Sequence, residues 1–271
     1  MGYGASLFDA AHGCLGATSA DEKAGRTFAV EAAFSAGELT IPDAAPAPDP
    51  ITMPGRPVLP RLVAPRDLAR RGMGTMPGRA AFIHSIAHIE FNAIDLAWDA
   101  VYRFRGLPHA YYADWVAVAN DEARHFTMLR TRLLELGYDY GDFDAHNGLW
   151  EMAEKTAHDG LVRMALVPRV LEARGLDVTP AMIVKLRALG DDATANILAT
   201  ILDEEVAHVA AGSRWFRWYC EQQHREPEAT FGALLAQHAP GAARGILNEK
   251  ARLAAGFSQH ELDQLQAVIS T

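Results

Sequence analysis

The sequence predicts an all-α protein, a four-helix bundle with additional helices at its N- and C-terminal ends. Three observations predict it. Four long segments carry apolar residues at helical spacing. Each closes on an ordinary stop signal, and short turns make neighbours antiparallel. Two of the resulting hairpins repeat one pattern of glutamates and histidines. The chain has 271 residues, 49% of them hydrophobic, enough to bury a sizeable core.

Residues 1–40 read as an N-terminal appendage of two helices, the second opened by a capping box, Ser19 followed by Glu22. Residues 41–77 form a Pro/Arg-rich extended arm, because Pro42, Pro46, Pro48, Pro50, Pro54, Pro57, Pro60 and Pro65 exclude a long helix. The bundle occupies 78–225. Its first helix runs from about Gly78 to Arg105, before Gly106 and Pro108, and its second from about His109 to Leu136, before Gly137. A third spans about Gly148 to Arg174, before Gly175, and a fourth about Asp191 to Gln223, before Pro227. Helices of this length reach about 40 Å. The C-terminal segment, 226–271, reads as shorter helices packed on the bundle, one capped by Ser258 and Glu261.

Composition excludes several classes. A net charge of -9 has the wrong sign for a generic phosphate-backbone binder. Between residues 51 and 80, however, six arginines (56, 61, 66, 70, 71 and 79) face one acid, Asp67. An arm lying along the acidic body is the preferred reading, and RNA contact through it the alternative. Two cysteines, Cys14 and Cys220, build neither a disulfide framework nor a thiolate zinc site. With no secretory signal and no long apolar run, a cytoplasmic protein without membrane contact is expected. Gly2 followed by Ser6 fits a myristoylation pattern too short to carry weight.

Glu-x-x-His occurs at Glu122/His125, Glu205/His208 and Glu221/His224. With 16 glutamates and 11 histidines, chance supplies about 0.65 such pairs. Position therefore has to carry the argument. Glu90 precedes Glu122 by 32 residues and Glu172 precedes Glu205 by 33. Glu90 to Glu172 is 82 residues, while Glu122 to Glu205 and His125 to His208 are each 83. Two hairpins thus carry the same Glu…Glu-x-x-His set, the ligand set of dinuclear carboxylate sites. Around Glu90 the positions Ile83, Ile86, Ala87, Ala93, Ile94 and Ala97 are apolar, as are Leu198, Ile201 and Gly212 around Glu205 and His208, so the acids point into the core. Four converging carboxylates repel one another, and two divalent cations resolve that. Mixed oxygen and imidazole donors suit iron or manganese better than calcium.

Other residues weigh less. Glu221/His224 sits in a polar last turn, beside Gln222, Gln223 and Arg225, and reads as solvated. His84 and His88 read as core or supporting side chains, with His88 placed to orient a ligand. Asp121, Arg124, His158, Asp159 and Asp203 are candidate supports, with surface roles the competing reading. Trp98, Tyr102, Trp115, Trp215 and Tyr219 line a pocket, relay electrons or, more commonly, fill the core.

At these residues the sequence resembles the ferritin-like superfamily and, more closely, the bacterial family called domain of unknown function 455. The likeness rests on His88-Ile-Glu90-Phe-Asn-Ala-Ile-Asp-Leu-Ala, Asp121-Glu-Ala-Arg-His125-Phe, His146-Asn-Gly-Leu-Trp150-Glu-Met-Ala and Leu171-Glu-Ala-Arg-Gly-Leu-Asp, and runs from about residue 20 to 235. It implies a ferritin-like bundle with a dimetal site. A more distant similarity joins Glu172-Ala-Arg to the third helix of the tRNA-modifying di-iron hydroxylases. The two halves are imperfect copies, since Glu172 lies three residues before Gly175. Thr179–Leu189, with Pro180 at a helix start, is therefore expected to continue the third helix after a break. The link from Gly137 to Asn147 is expected to run along the bundle, reaching at most about 36–40 Å.

The expected function is a di-iron oxidoreductase, monooxygenase-like, that activates O₂ to oxidise or hydroxylate an organic substrate. Two iron ions are the expected cofactor, with manganese or mixed manganese/iron the alternative. An external electron donor is required, the substrate being a small molecule or a modified nucleotide, and a homodimer is left open. The rival readings are a non-enzymatic iron-handling or ferroxidase protein, a manganese peroxide-disproportionating enzyme, and a tRNA-modifying hydroxylase.

Overall fold

The computed structural model describes residues 6–43, 45–239 and 245–269. Gly2 lies outside them, and Ser6 caps a helix. Among the described residues the regular elements are helical, with two isolated β-bridges, Ser6 to Thr40 and Leu62 to Ala145. None of these helices is long and apolar enough to cross a membrane. The chain divides into two compact units, Met1–Glu154 and Lys155–Thr271, and the division falls inside the segment 78–225.

In the first unit, α1 (Leu7–Leu15) and α2 (Ala20–Ser35) form the N-terminal pair. Ser19 accepts from the Glu22 N–H, and the Glu22 carboxylate reaches back to the Thr18 N–H, each at 3.1 Å. Lys23 anchors α2: its buried ammonium meets Asp95 and the carbonyls of Cys14 and Leu15, the partners a buried cation requires. The arm lies along this unit. Trp150 donates its indole N–H to the Thr52 carbonyl (2.8 Å), Gly55 donates to the Leu15 carbonyl (2.7 Å), and Arg61 pairs with Asp144 (2.7 Å). Arg66, Arg70 and Arg71 stay exposed.

Helix α3 (Met76–Arg103) starts at Thr75, whose hydroxyl accepts from the Gly78 N–H. A side chain at Gly78 would collide with the Gly72 carbonyl. After a turn containing Gly106 (φ 69°), α4 (His109–Glu135) returns alongside. Tyr111 donates to the Ala100 carbonyl, and Phe91 packs on Phe126 at 5.1 Å. Numbers fall on one helix as they rise on the other, so the pair is antiparallel. Residues 83, 87, 90, 94, 97 and 101 form one buried stripe on α3, and 111, 115, 118, 122, 125 and 129 another on α4, the alternating three- and four-residue spacing of a bundle seam. Beyond α4, Gly141 donates to His84 Nε2 (2.9 Å) and His88 Nε2 donates to the His146 carbonyl (3.0 Å). The link after Gly137 thus climbs one turn of α3 before α5 (Gly148–Lys155) begins.

The continuous third helix expected over 148–174 is not found. In its place come α5, a turn at 156–158, α6 (Gly160–Leu166), a π-helical segment (Val167–Glu172) and α7 (Ala173–Ala188). Asp159 causes the interruption, because its carboxylate caps α6 by accepting from the Leu161 and Val162 N–H groups. His158 lies exposed in the turn. The break expected after Arg174 is absent too, for α7 runs through Gly175 and Pro180. Pro180 has no N–H for the Leu176 carbonyl, and the Asn248 side-chain amide donates to that carbonyl instead (3.1 Å). The π turn, closed by the Ala173 N–H on the Pro168 carbonyl, fits the close approach of Pro168 to Gly212, where a Cβ would overlap the proline ring.

Helix α8 (Asp192–Gln222) returns against α6 and α7. Gly160 faces Tyr219 and Pro168 faces Gly212, so this hairpin is antiparallel as well. Residues 194, 198, 201, 208, 212 and 215 form a buried stripe with Glu205 at its centre. The helix ends with His224 in the left-handed region (φ 53°) and the Arg225 N–H on the Cys220 carbonyl. Helices α9 (Pro227–His238), α10 (Glu249–Ala254) and α11 (Gln259–Ile269) complete the unit. At α11 the expected box forms in both directions: Glu261 N–H to Ser258 Oγ (3.1 Å) and Ser258 N–H to Glu261 Oε2 (2.9 Å).

Candidate metal centre

The stripes explain why acids sit inside. Glu90 takes the place in α3 between Ala87 and Ile94 where a bundle demands an inward residue, and Glu122 and His125 take two such places in α4. All three are buried. His125 Nδ1 lies 3.1 Å from Glu90 Oε2 and 3.6 Å from Glu122 Oε2. One donor atom from each of the three lies within 4.8 Å of the others.

Burial by itself lowers the His125 pKa, but the carboxylates of Glu122 and Glu90 outweigh it and push it up to about 11. The ring therefore stands as an imidazolium between two carboxylates. Its positive charge offsets part of a charge that would otherwise be costly to bury. A divalent cation does the same more completely. Two carboxylates and a neutral imidazole are donors that iron, manganese and zinc accept, and three of them converging from adjacent helices fit a metal ion.

In the second unit, His208 Nδ1 lies 3.5 Å from Glu205 Oε1, with the imidazole buried and the carboxylate 12% exposed. The contacts of residue 160 with 219 and 168 with 212 put Glu172 level with His208 across the hairpin. Hairpin one sets Glu90 opposite His125 in the same way. The climb of α7 beyond Glu172 makes this register possible, since α8 needs fourteen residues to descend from Asp192 to Glu205.

The remaining candidates lie elsewhere. His88 is buried, and its Nδ1 accepts from the Tyr140 hydroxyl at 2.8 Å. Asp121 and Arg124 pair with each other at 3.0 Å on a partly exposed face. Asp203 is exposed. Glu221 is exposed and His224 stands past the helix end, which removes that pair from a shared helix face. Trp98, Tyr102, Trp115 and Trp215 are core residues. Sequence reasoning missed Tyr140, which lies in a link with no periodicity to mark it, and the buried pair of Arg169 with Glu261 (2.7 Å), whose partners stand 92 residues apart.

Fold and cluster together define an all-α protein with a buried carboxylate–imidazole group suited to a metal ion. The chain belongs to the family described as "Protein of unknown function (DUF455)", whose model matches residues 16–263. It is 46% identical over 222 residues to a Haemophilus influenzae protein described as "Uncharacterized protein", with 79% of this chain and 77% of that protein covered. No solved structure matched at a significant level.

Proposed function

We propose that the chain is a dinuclear carboxylate metalloprotein in which Glu90, Glu122, His125, Glu172, Glu205 and His208 hold two iron ions, and that it uses dioxygen to hydroxylate an organic substrate. The observation that carries this reading is repetition: each hairpin sets one glutamate level with the histidine of a Glu-x-x-His pair, at matching spacing. Such a set is the dinuclear ligand pattern of helical bundles.

Bound iron would supply dioxygen binding and electron transfer that no side chain provides. The residues supply the rest. Glu90, Glu122, Glu172 and Glu205 would supply the carboxylate donors to the metal, and His125 and His208 the imidazole donors. His125 gives up its proton when it ligates. The apolar stripes around the glutamates limit water. Hydroxylation consumes R–H, O₂, two electrons and two protons and yields R–OH and water, so an external two-electron donor is required.

The test is anaerobic reconstitution with ferrous iron, followed by elemental analysis and Mössbauer spectroscopy before and after oxygen. About two irons per chain that become antiferromagnetically coupled and ferric on oxygen support the reading. A stoichiometry near zero removes it, and full occupancy by manganese with peroxide disproportionation replaces it.

A further inference from the structure

The geometry points to a second ligand site in the first unit, a small pocket in which Arg56 and Asn147 bind the carboxylate group of an organic acid. The pocket lies between the arm and α3. Pro54, Pro57 and Pro60 roof it, and His88, Asn92 and Asp95 form its floor. Helix residues advance by about 100° each, which puts these floor residues roughly 140–200° around α3 from Glu90. The pocket therefore opens on the face of the helix turned away from the candidate metal cluster.

Arg56 is the cation of this lining and, like Arg79 and Arg105 of the same unit, a half-buried arginine that meets no carboxylate among the described residues. Lys23, Arg103 and Arg130 in the same unit each meet a carboxylate. Arg56 is half-buried and, among the described residues, pairs with none. The Asn147 side-chain amide also makes no hydrogen bond there. The other polar groups are already committed: Tyr140 donates to His88, Asn92 donates to the His88 carbonyl, and Asp95 is bound to Lys23. The polar lining side chains left without a hydrogen-bond partner among the described residues are thus those of Arg56, a planar cationic fork, and Asn147, an amide donor.

That complement selects the ligand. A guanidinium matches the two oxygens of a carboxylate bidentately, and the amide adds one further donor. A phosphate dianion would ask for more donors than the pocket offers, next to a carboxylate on its floor. The whole space with its mouth is about 310 Å³, and its enclosed part admits a group about the size of one water molecule. That enclosed part is too small for a carboxylate, so the headgroup sits at the mouth against Arg56 and Asn147, with the remainder of the acid outside beside the prolines.

The roof is firmly placed for this role. Gly55 donates to the Leu15 carbonyl at 2.7 Å, and Trp150 fixes Thr52. Gly55 must be glycine, because a Cβ would overlap the Gly16 carbonyl. Arg56 therefore leaves a rigid segment next to the cavity, and little ordering remains to oppose binding.

The test is an NMR titration of the full-length protein with acetate and with succinate at constant ionic strength, in parallel with chloride and inorganic phosphate. Saturable shifts at Arg56 and Asn147 with the two carboxylates, but not with chloride, are expected. Arg56→Gln should weaken acetate at least tenfold, the effect of losing one charge-assisted bidentate contact, and Arg66→Gln on the exposed arm should not. Circular dichroism checks that each variant is folded, and Arg56→Lys, which keeps the charge without the fork, should bind between the two. Tighter phosphate than acetate binding would overturn the carboxylate assignment. Identical responses to acetate and chloride, or unchanged acetate affinity in folded Arg56→Gln, would overturn the site. Because the readout involves no metal, iron stoichiometry and this result fail independently.

Discussion

His125 on α4 and Glu90 on α3 are joined across the first hairpin, Nδ1 to Oε2, at 3.1 Å. Neither position is reached by chance, for each occupies a place where the bundle pattern turns a side chain inward.

Metal content should follow those inward positions. Glu122→Ala and Glu205→Ala are each expected to lose iron on reconstitution, whereas Glu221→Ala, on the exposed end of α8, retains the full complement. Elemental analysis of the three proteins decides it, and equal loss in all three would refute the placement.

The apo protein should weaken in alkali. His125 is raised from its ordinary value near 6.5 to about 11 by its two carboxylates, so the folded state holds a proton that the unfolded state releases. Stability from this source is complete below about pH 6.5 and drains away as pH rises towards 11. Urea midpoints of the metal-free protein should fall between pH 7 and 10, and less steeply in His125→Gln. Metal uptake near neutral pH should release protons to the solvent, measurable with an indicator dye.

His84 acts in the opposite direction. Burial holds its pKa down to about 4, while the unfolded chain protonates near 6.5. The unfolded state therefore binds more protons in that window, and stability declines as pH drops from about 6.5 to about 4. Replacing His84 by Asn should flatten the decline measured by urea unfolding between pH 6.5 and 5; an unaltered slope would assign it to other groups.

Arg169 is buried against the rings of Phe216, Phe231 and Phe257, with centroids 4.1–4.7 Å away, and pairs with Glu261 at 2.7 Å. Removing one partner leaves a buried charge uncompensated, which costs about 3–5 kcal/mol. Glu261→Ala should lower stability by that amount in denaturant titrations. The double replacement Arg169→Met with Glu261→Leu should recover much of the loss, since no charge then remains inside. A double variant as unstable as the single one would show that ring contacts rather than charge dominate.

Much of this was legible in the residues alone. The C-terminal ends of α3 and α4 follow from Gly106 and Gly137, and the boxes at Ser19 and Ser258 were readable because a cap is a local contact over three residues. The three cluster residues of the first unit could be picked by spacing, since an amphipathic stripe of fixed period leaves an acid only one direction to point. The fate of the third helix could not be read so. Pro180 reads as a start and Gly175 as a stop, yet α7 runs through both; at Pro180 a side chain 72 residues from Leu176 satisfies the carbonyl that the proline leaves without a donor, which removes the local penalty.

Sequence by itself determined the helical class, the hairpin pairing and the inward direction of Glu90 and Glu122, because each of these depends on the rotation of one residue from the next along a single helix. Tertiary structure alone decided that Asp159 interrupts the third helix, that a π turn carries Glu172, that the arm roofs α3, and that Arg56 lines a cavity without pairing to a carboxylate. Those are contacts between segments far apart in the chain, whose energies depend on distance in space and have no period along the sequence to announce them.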